Sequence, residues 1–346
     1  EVFTDGNVSF NANVGGSSQP LAVTIDSNST VSFNAETKSE VLSVHALNIA
    51  VTSSIQVDGN GVTSEPFQLM ASNSLALGSF STLSVDDGGM VLSADQMSFD
   101  GGPGSIASIG LASSLVVKPY DASRIIGVAG ASGNQLTRLE LSSADLAAFD
   151  DSFSSVVIGD AVNGTGEVRI GAIGLTQSGS SAQILNPTTF VGGSILVEGP
   201  IDANSEMLRL VALQGDVLVN GVINETVTER SATVALQAEG DIIVNRAVYA
   251  TDLISLSAGF TNGVGDVIVN DVDLNSGLLM TTSDSGPEGR IEVAAGDTTG
   301  DIILNGTGLD TIISVCGTNG ELALRARGGA VTQTGGLLEA AVLAVV

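Results

Sequence analysis

The sequence predicts an all-β chain wound as a parallel β-helix, or β-solenoid, and three observations carry that prediction. A short phrase recurs along the second half, its apolar residues alternate with period two, and helical spacing is nearly absent. The phrase first reads Gly193-Ser-Ile-Leu-Val-Glu198, then Gly215-Asp-Val-Leu-Val-Asn220 and Gly240-Asp-Ile-Ile-Val-Asn245. It returns as Gly265-Asp-Val-Ile-Val-Asn270 and Gly300-Asp-Ile-Ile-Leu-Asn305, at spacings of 22, 25, 25 and 35 residues. Each copy from Gly215 on follows a second alternating run: Val211-Ala-Leu213, Val234-Ala-Leu236, Ile254-Ser-Leu256 or Ile291-Glu-Val293, with Leu322-Ala-Leu324 after the last. Short strands repeated every 20–25 residues or so fit a coil whose turns stack about 4.8 Å apart. A propeller wants longer, aromatic-rich blades, and a sandwich does not repeat a phrase.

The first half keeps the same texture with less regularity. Val8-Ser-Phe10, Val31-Ser-Phe33, Leu75-Ala-Leu77 and Met90-Val-Leu92 alternate between Gly, Asn and Asp residues. A weakly helical stretch covers 139–149, and longer excursions are expected near 59–66, 121–134 and 161–166. No proline-rich hinge or compositional break appears, so residues 1–346 read as one continuous solenoid, less regular over 1–192 and regular over 193–346. At about 22 residues per turn it would make about 15 rungs, a stiff rod about 70 Å long.

Composition supports a narrow, repetitive interior. Hydrophobic residues make up 43% of the chain, yet aromatics are only 3% and Trp is absent, so Val, Ile, Leu and Ala must fill the core. The net charge of −27 and eleven scattered cations exclude a phosphate-tracking groove, hence nucleic acid, and argue against an anionic membrane surface. That charge favours divalent cations or basic surfaces as partners. The single cysteine, Cys316, cannot form an intrachain disulfide and reads as a small apolar strand residue. Residues 340–346 are apolar but too few to span a bilayer, so no membrane span is expected. With a processed-looking start and an uncapped apolar end, the chain reads as a piece of a longer polypeptide.

Several phrases carry a family resemblance. Met90-Val-Leu-Ser-Ala-Asp-Gln-Met-Ser-Phe-Asp-Gly-Gly102 is similar to a strand-turn phrase of large filamentous-haemagglutinin-like bacterial exoproteins. Leu115-Val-Val-Lys-Pro119, Arg124-Ile-Ile-Gly127, Leu139-Glu-Leu-Ser-Ser-Ala-Asp-Leu146 and Gly164-Thr-Gly-Glu-Val-Arg-Ile-Gly171 continue it in order. Gly174-Leu-Thr-Gln-Ser178 and Ala330-Val-Thr-Gln-Thr334 also resemble recurring phrases of such proteins. The resemblance covers about 90–346 well and 1–89 loosely. It implies a right-handed, single-stranded parallel β-helix, an extracellular or bacterial cell-surface location, and an adhesive or structural role.

Chemistry-bearing residues are sparse. His45 is the only histidine, so no multi-histidine metal site exists, and no nucleophile-base pair can be argued. The adjacent carboxylates Asp86-Asp87 and Asp150-Asp151 could suggest glycoside chemistry, but strand neighbours point to opposite faces. The expectation is a non-enzyme with no cofactor. The alternative is a β-helix glycan-active enzyme or carbohydrate-binding module, disfavoured because Tyr120 and Tyr249 are the only tyrosines.

Two ladders and one stripe remain. Asp216, Asp241, Asp266 and Asp301 occupy one phrase position, and either cap Gly-Asp turns or bridge Ca²⁺. Asn220, Asn245, Asn270 and Asn305 should hydrogen-bond along the stack. Leu196, Leu218, Ile243, Ile268 and Ile303 fall at outward positions that are normally polar, making a candidate lateral interface. Either loops of the same chain, such as 260–264 or 281–289, cover this stripe, or a protein partner or second copy packs there.

Overall fold

The computed structural model describes residues 1–15, 22–59, 66–110, 113–133, 137–174, 185–203, 207–224, 231–270, 279–281, 289–306, 311–317 and 319–346. Among these the chain is a parallel β-helix: each strand pairs in parallel with strands one coil away. It divides into two compact units, Glu1–Asn163 with Thr176–Asn186, and Gly164–Leu175 with Pro187–Val346.

In the first unit the strands Ala22–Ser27, Val41–Val51, Phe67–Leu77, Gly89–Phe99, Ser114–Lys118 and Ser155–Ile158 follow one another across a sheet. Val41–Val51, Phe67–Leu77 and Gly89–Phe99 each have eleven residues, and their registers shift at Ala46/Asn48 and Ala94/Gln96. These bulges bend the strands and let one strand serve two faces. A second sheet holds Thr37–Ser39, Ile55–Val57, Leu83–Val85 and Ile106–Ser108. The alternating phrases match: Val8 pairs with Val31 and Phe10 with Phe33, whose rings stack at 5.1 Å. The weakly helical stretch forms one short helix, Ser143–Ala147, closed by a capping box between Ser142 and Asp145. Asp145 also accepts a hydrogen bond from the Phe99 amide at 2.7 Å, fastening the helix to the neighbouring strand.

In the second unit the chain visits three sheets in turn. Leu253–Ala258 leads to Val267–Asn270, then Leu279–Thr281, then Arg290–Ala294, one coil above the start. The inward residues of the Gly-Asp phrase are wholly buried and in register: Val217, Ile242, Val267 and Ile302 in one column, and Val219, Val244, Val269 and Leu304 in the next. Their burial, at roughly 2 kcal/mol for each large side chain, is the main driving force of the stack. At Gly265 and Gly300 the glycine before Asp is required by close approach of successive coils: a Cβ on Gly265 would lie 2.3 Å from the Gly240 carbonyl oxygen.

One companion run departs from its expected register. Ala212 is buried and pairs with Ala238, while Arg209 holds the outward position beside Ala235. The strand equivalent to Val234-Ala-Leu236 is therefore Leu208-Arg209-Leu210. Val211 and Ala212 are both buried at the strand end, where Val-Ala-Leu imitates the period-two pattern.

Candidate functional site

The Gly-Asp phrase builds one face of the second unit, from strands Val168–Ile170, Ile195–Val197, Val217–Val219, Ile242–Val244, Val267–Asn270, Ile302–Asn305 and Val331–Gln333. Because strand side chains alternate, Asp, aliphatic and Asn positions all point outward, and parallel register lines each type into a column. The aliphatic column runs Leu196, Leu218, Ile243, Ile268 and Ile303, each directly paired with the next. All five are half-buried, and the column ends on Arg169 at one side and Thr332 at the other. At the rung spacing it is about 20 Å tall.

The Asp column does structural work. Asp216 Oδ1 accepts from the Asp241 amide at 2.8 Å, Asp241 Oδ1 from Asp266 at 2.8 Å, and Asp266 Oδ1 from Asp301 at 2.7 Å. Asp301 Oδ1 receives the Ala330 amide at 2.7 Å. Each carboxylate thus satisfies a corner amide of the next coil. Among the described residues no group of three or more His, Cys, Asp or Glu side chains is placed to hold a metal ion.

The Asn column is a continuous amide ladder. Asn245, Asn270 and Asn305 donate through Nδ2 to the Oδ1 of the preceding Asn at 2.8, 2.8 and 2.9 Å. Thr334 donates to Asn305 at 3.2 Å and closes the column.

Of the loops that could cover the aliphatic column, 260–264 makes its contacts elsewhere. Asn262 donates to the Glu239 carbonyl at 2.9 Å, the Thr298 amide donates to Gly263 at 2.7 Å, and Phe260 and Val264 stay exposed. In the other loop, residues 282–288 lie outside the described residues.

The remaining candidates are dispersed in the first unit. His45 is exposed on Val41–Val51, paired in register with Asp26 and Met70. It lines a shallow groove with Asp26, Leu47, Met70 and Tyr120, residues too far apart in sequence to be grouped by reading alone. Asp86 hydrogen-bonds Asp58 on the neighbouring coil and also feels the charge of Asp87, so the carboxyl group of three is larger than the Asp86-Asp87 pair visible in sequence. Burial, then the charges of Asp87 and Asp58, push the Asp86 carboxyl above its ordinary range. Asp150 accepts the Ser152 amide at 3.1 Å and shapes a turn. Cys316 is half-buried and accepts a contact from the Thr281 hydroxyl at 3.6 Å.

No helix among the described residues is long and apolar enough to cross a membrane. Compared with known protein families, curated proteins and solved structures, the chain matches none.

Proposed function

We propose that this chain is a structural or adhesive segment of a large secreted or cell-surface bacterial protein of the filamentous-haemagglutinin-like kind. On this reading it presents loops on stacked coils, packs laterally against protein through the Gly-Asp face, and catalyses nothing. The observation that carries the reading is the in-register aliphatic column, half-exposed between an acid column and an amide column. An outward-facing strand position is normally polar, and five consecutive exceptions in one column mark a surface meant to be covered. The phrase resemblance supports the class.

The test is the triple change Leu218→Thr, Ile243→Thr and Ile268→Thr. Circular dichroism should be unchanged, while sedimentation should show the native assembly falling to monomer. A native protein that stays monodisperse and monomeric at every concentration, with this face bare, overturns the proposal.

A second reading, glycan binding, has one observation in its favour: the groove that gathers Tyr120, His45 and Asp26. An aromatic ring beside hydrogen-bonding groups suits a neutral saccharide, and titration with neutral oligosaccharides against Tyr120→Ala separates the two readings.

A further inference from the structure

Resting on the lateral-packing reading, we infer that the partner on the Gly-Asp face is a second copy of this chain, related by a two-fold axis parallel to the stack of coils. The face is not symmetric from side to side. Viewed from outside, the Asp column lies on one flank of the aliphatic column and the Asn column on the other, about 6.6 Å away along each strand. Each Asp commits Oδ1 to the next coil, and each ladder Asn after Asn220 commits one N–H to the preceding one. Oδ2 of the acids and the second N–H of the amides remain to face outward.

Two orientations bring identical faces together. A two-fold axis at right angles to the stack reverses one copy and sets the Asp columns over each other. An axis parallel to the stack keeps both copies running in the same direction and exchanges left for right. Each Asp column then lies over an Asn column, carboxylate against amide N–H, with aliphatic side chains over aliphatic side chains. At the first coil of the face Ser194 falls opposite Glu198, again a hydroxyl against a carboxylate. Arg169 meets its own copy, each already neutralised by Glu167. The two Asp columns are then offset across the face and lie farther apart than a Debye length of about 8 Å.

Rung spacing argues for a second copy over an unrelated partner. The donors and acceptors recur at about 4.8 Å, and another copy supplies the complementary groups at the same interval on every coil. The three columns over five coils span about 260 Å². That is about a third of the roughly 800 Å² per partner of a stable pair. The pairing is therefore weak for isolated chains and strong only where many chains are held side by side.

The experiment places a single thiol at either end of the aliphatic column, Leu196→Cys or Ile303→Cys, in a Cys316→Ser background. Concentrated protein is treated with a short bismaleimide, and the cross-linked peptides are identified by mass. The parallel pair predicts that each variant cross-links to itself and that a mixture yields no 196–303 product. A mixture that yields only the 196–303 product means reversed packing, which overturns this inference and leaves lateral packing intact. No cross-link from either variant, with the native chain monomeric at every concentration, overturns both. Circular dichroism of each variant against the native chain confirms that the coil is retained.

Discussion

At the scale of single residues, the Gly-Asp phrase is best understood through its hydrogen bonds. Asp241 accepts the Asp266 amide, so Asp241→Ala leaves that amide without its protein acceptor and should cost about 1–2 kcal/mol. Asp241→Asn keeps an acceptor oxygen in place and should cost much less; equal losses in urea unfolding would refute the capping role. Acid sensitivity has a different source. Burial pushes the Asp160 carboxyl up, but the amides of Val162 and Asn163 and the Lys118 ammonium at 3.3 Å outweigh it and hold it below the usual range. A carboxyl held down in the fold takes up its proton more readily when unfolded. Its stabilisation is present above the ordinary carboxylate pKa of about 3.9 and is lost as pH falls through the lowered value. Asp86, raised instead, stabilises the fold as it protonates on the way down. Asp160→Asn should therefore flatten the acid limb of the stability profile, a change that denaturant midpoints measured from about pH 5 to 3 will register.

At the scale of the strand, inward and outward residues one step apart should behave very differently. Ile242 is wholly buried, and Ile242→Ala should cost about 2–5 kcal/mol through lost burial and a cavity. Ile243, next to it on the outer face, should tolerate Thr within about 1 kcal/mol in the isolated chain. Comparable denaturant midpoints for the two variants would mean that the face is buried against something in the chain itself. This alternation was legible in the sequence because repeated copies of one phrase make the period unmistakable. Met207–Ala212 was misread by register for the opposite reason: its buried corner residues continue the alternation past the point where the strand turns. The bulge in Phe67–Leu77 was also hidden, because its extra residue, three steps from Ala71 to Ser74 opposite two from Ala46 to Asn48, leaves the buried alternation of that strand unbroken.

At the scale of the molecule, strand pairs among the described residues join coils that are neighbours in the winding, except where Arg138–Leu141 doubles back to pair with Ile125–Val128, so stability accumulates coil by coil within each unit. The outer columns could be read in advance, since their members share a phrase position. The groove around His45 and the Asp58–Asp86 pair could not, because their residues share no phrase and meet only through winding. For the same reason a cross-linking or mutational result on the Gly-Asp face bears on every coil at once, whereas one on the groove bears on a single site.

The two side-chain ladders also have a direction. In each, the earlier coil offers the oxygen and the later coil brings the N–H: Asp216 to Asp241, Asp241 to Asp266, Asn220 to Asn245, Asn245 to Asn270. The growing edge of a half-wound unit thus carries acceptors already aimed at residues that have yet to arrive. A chain winding from its amino end meets acceptors at each step, and one winding from its carboxyl end meets donors. The two edges of a partly wound stack therefore differ in chemistry, oxygens waiting at one and N–H groups at the other.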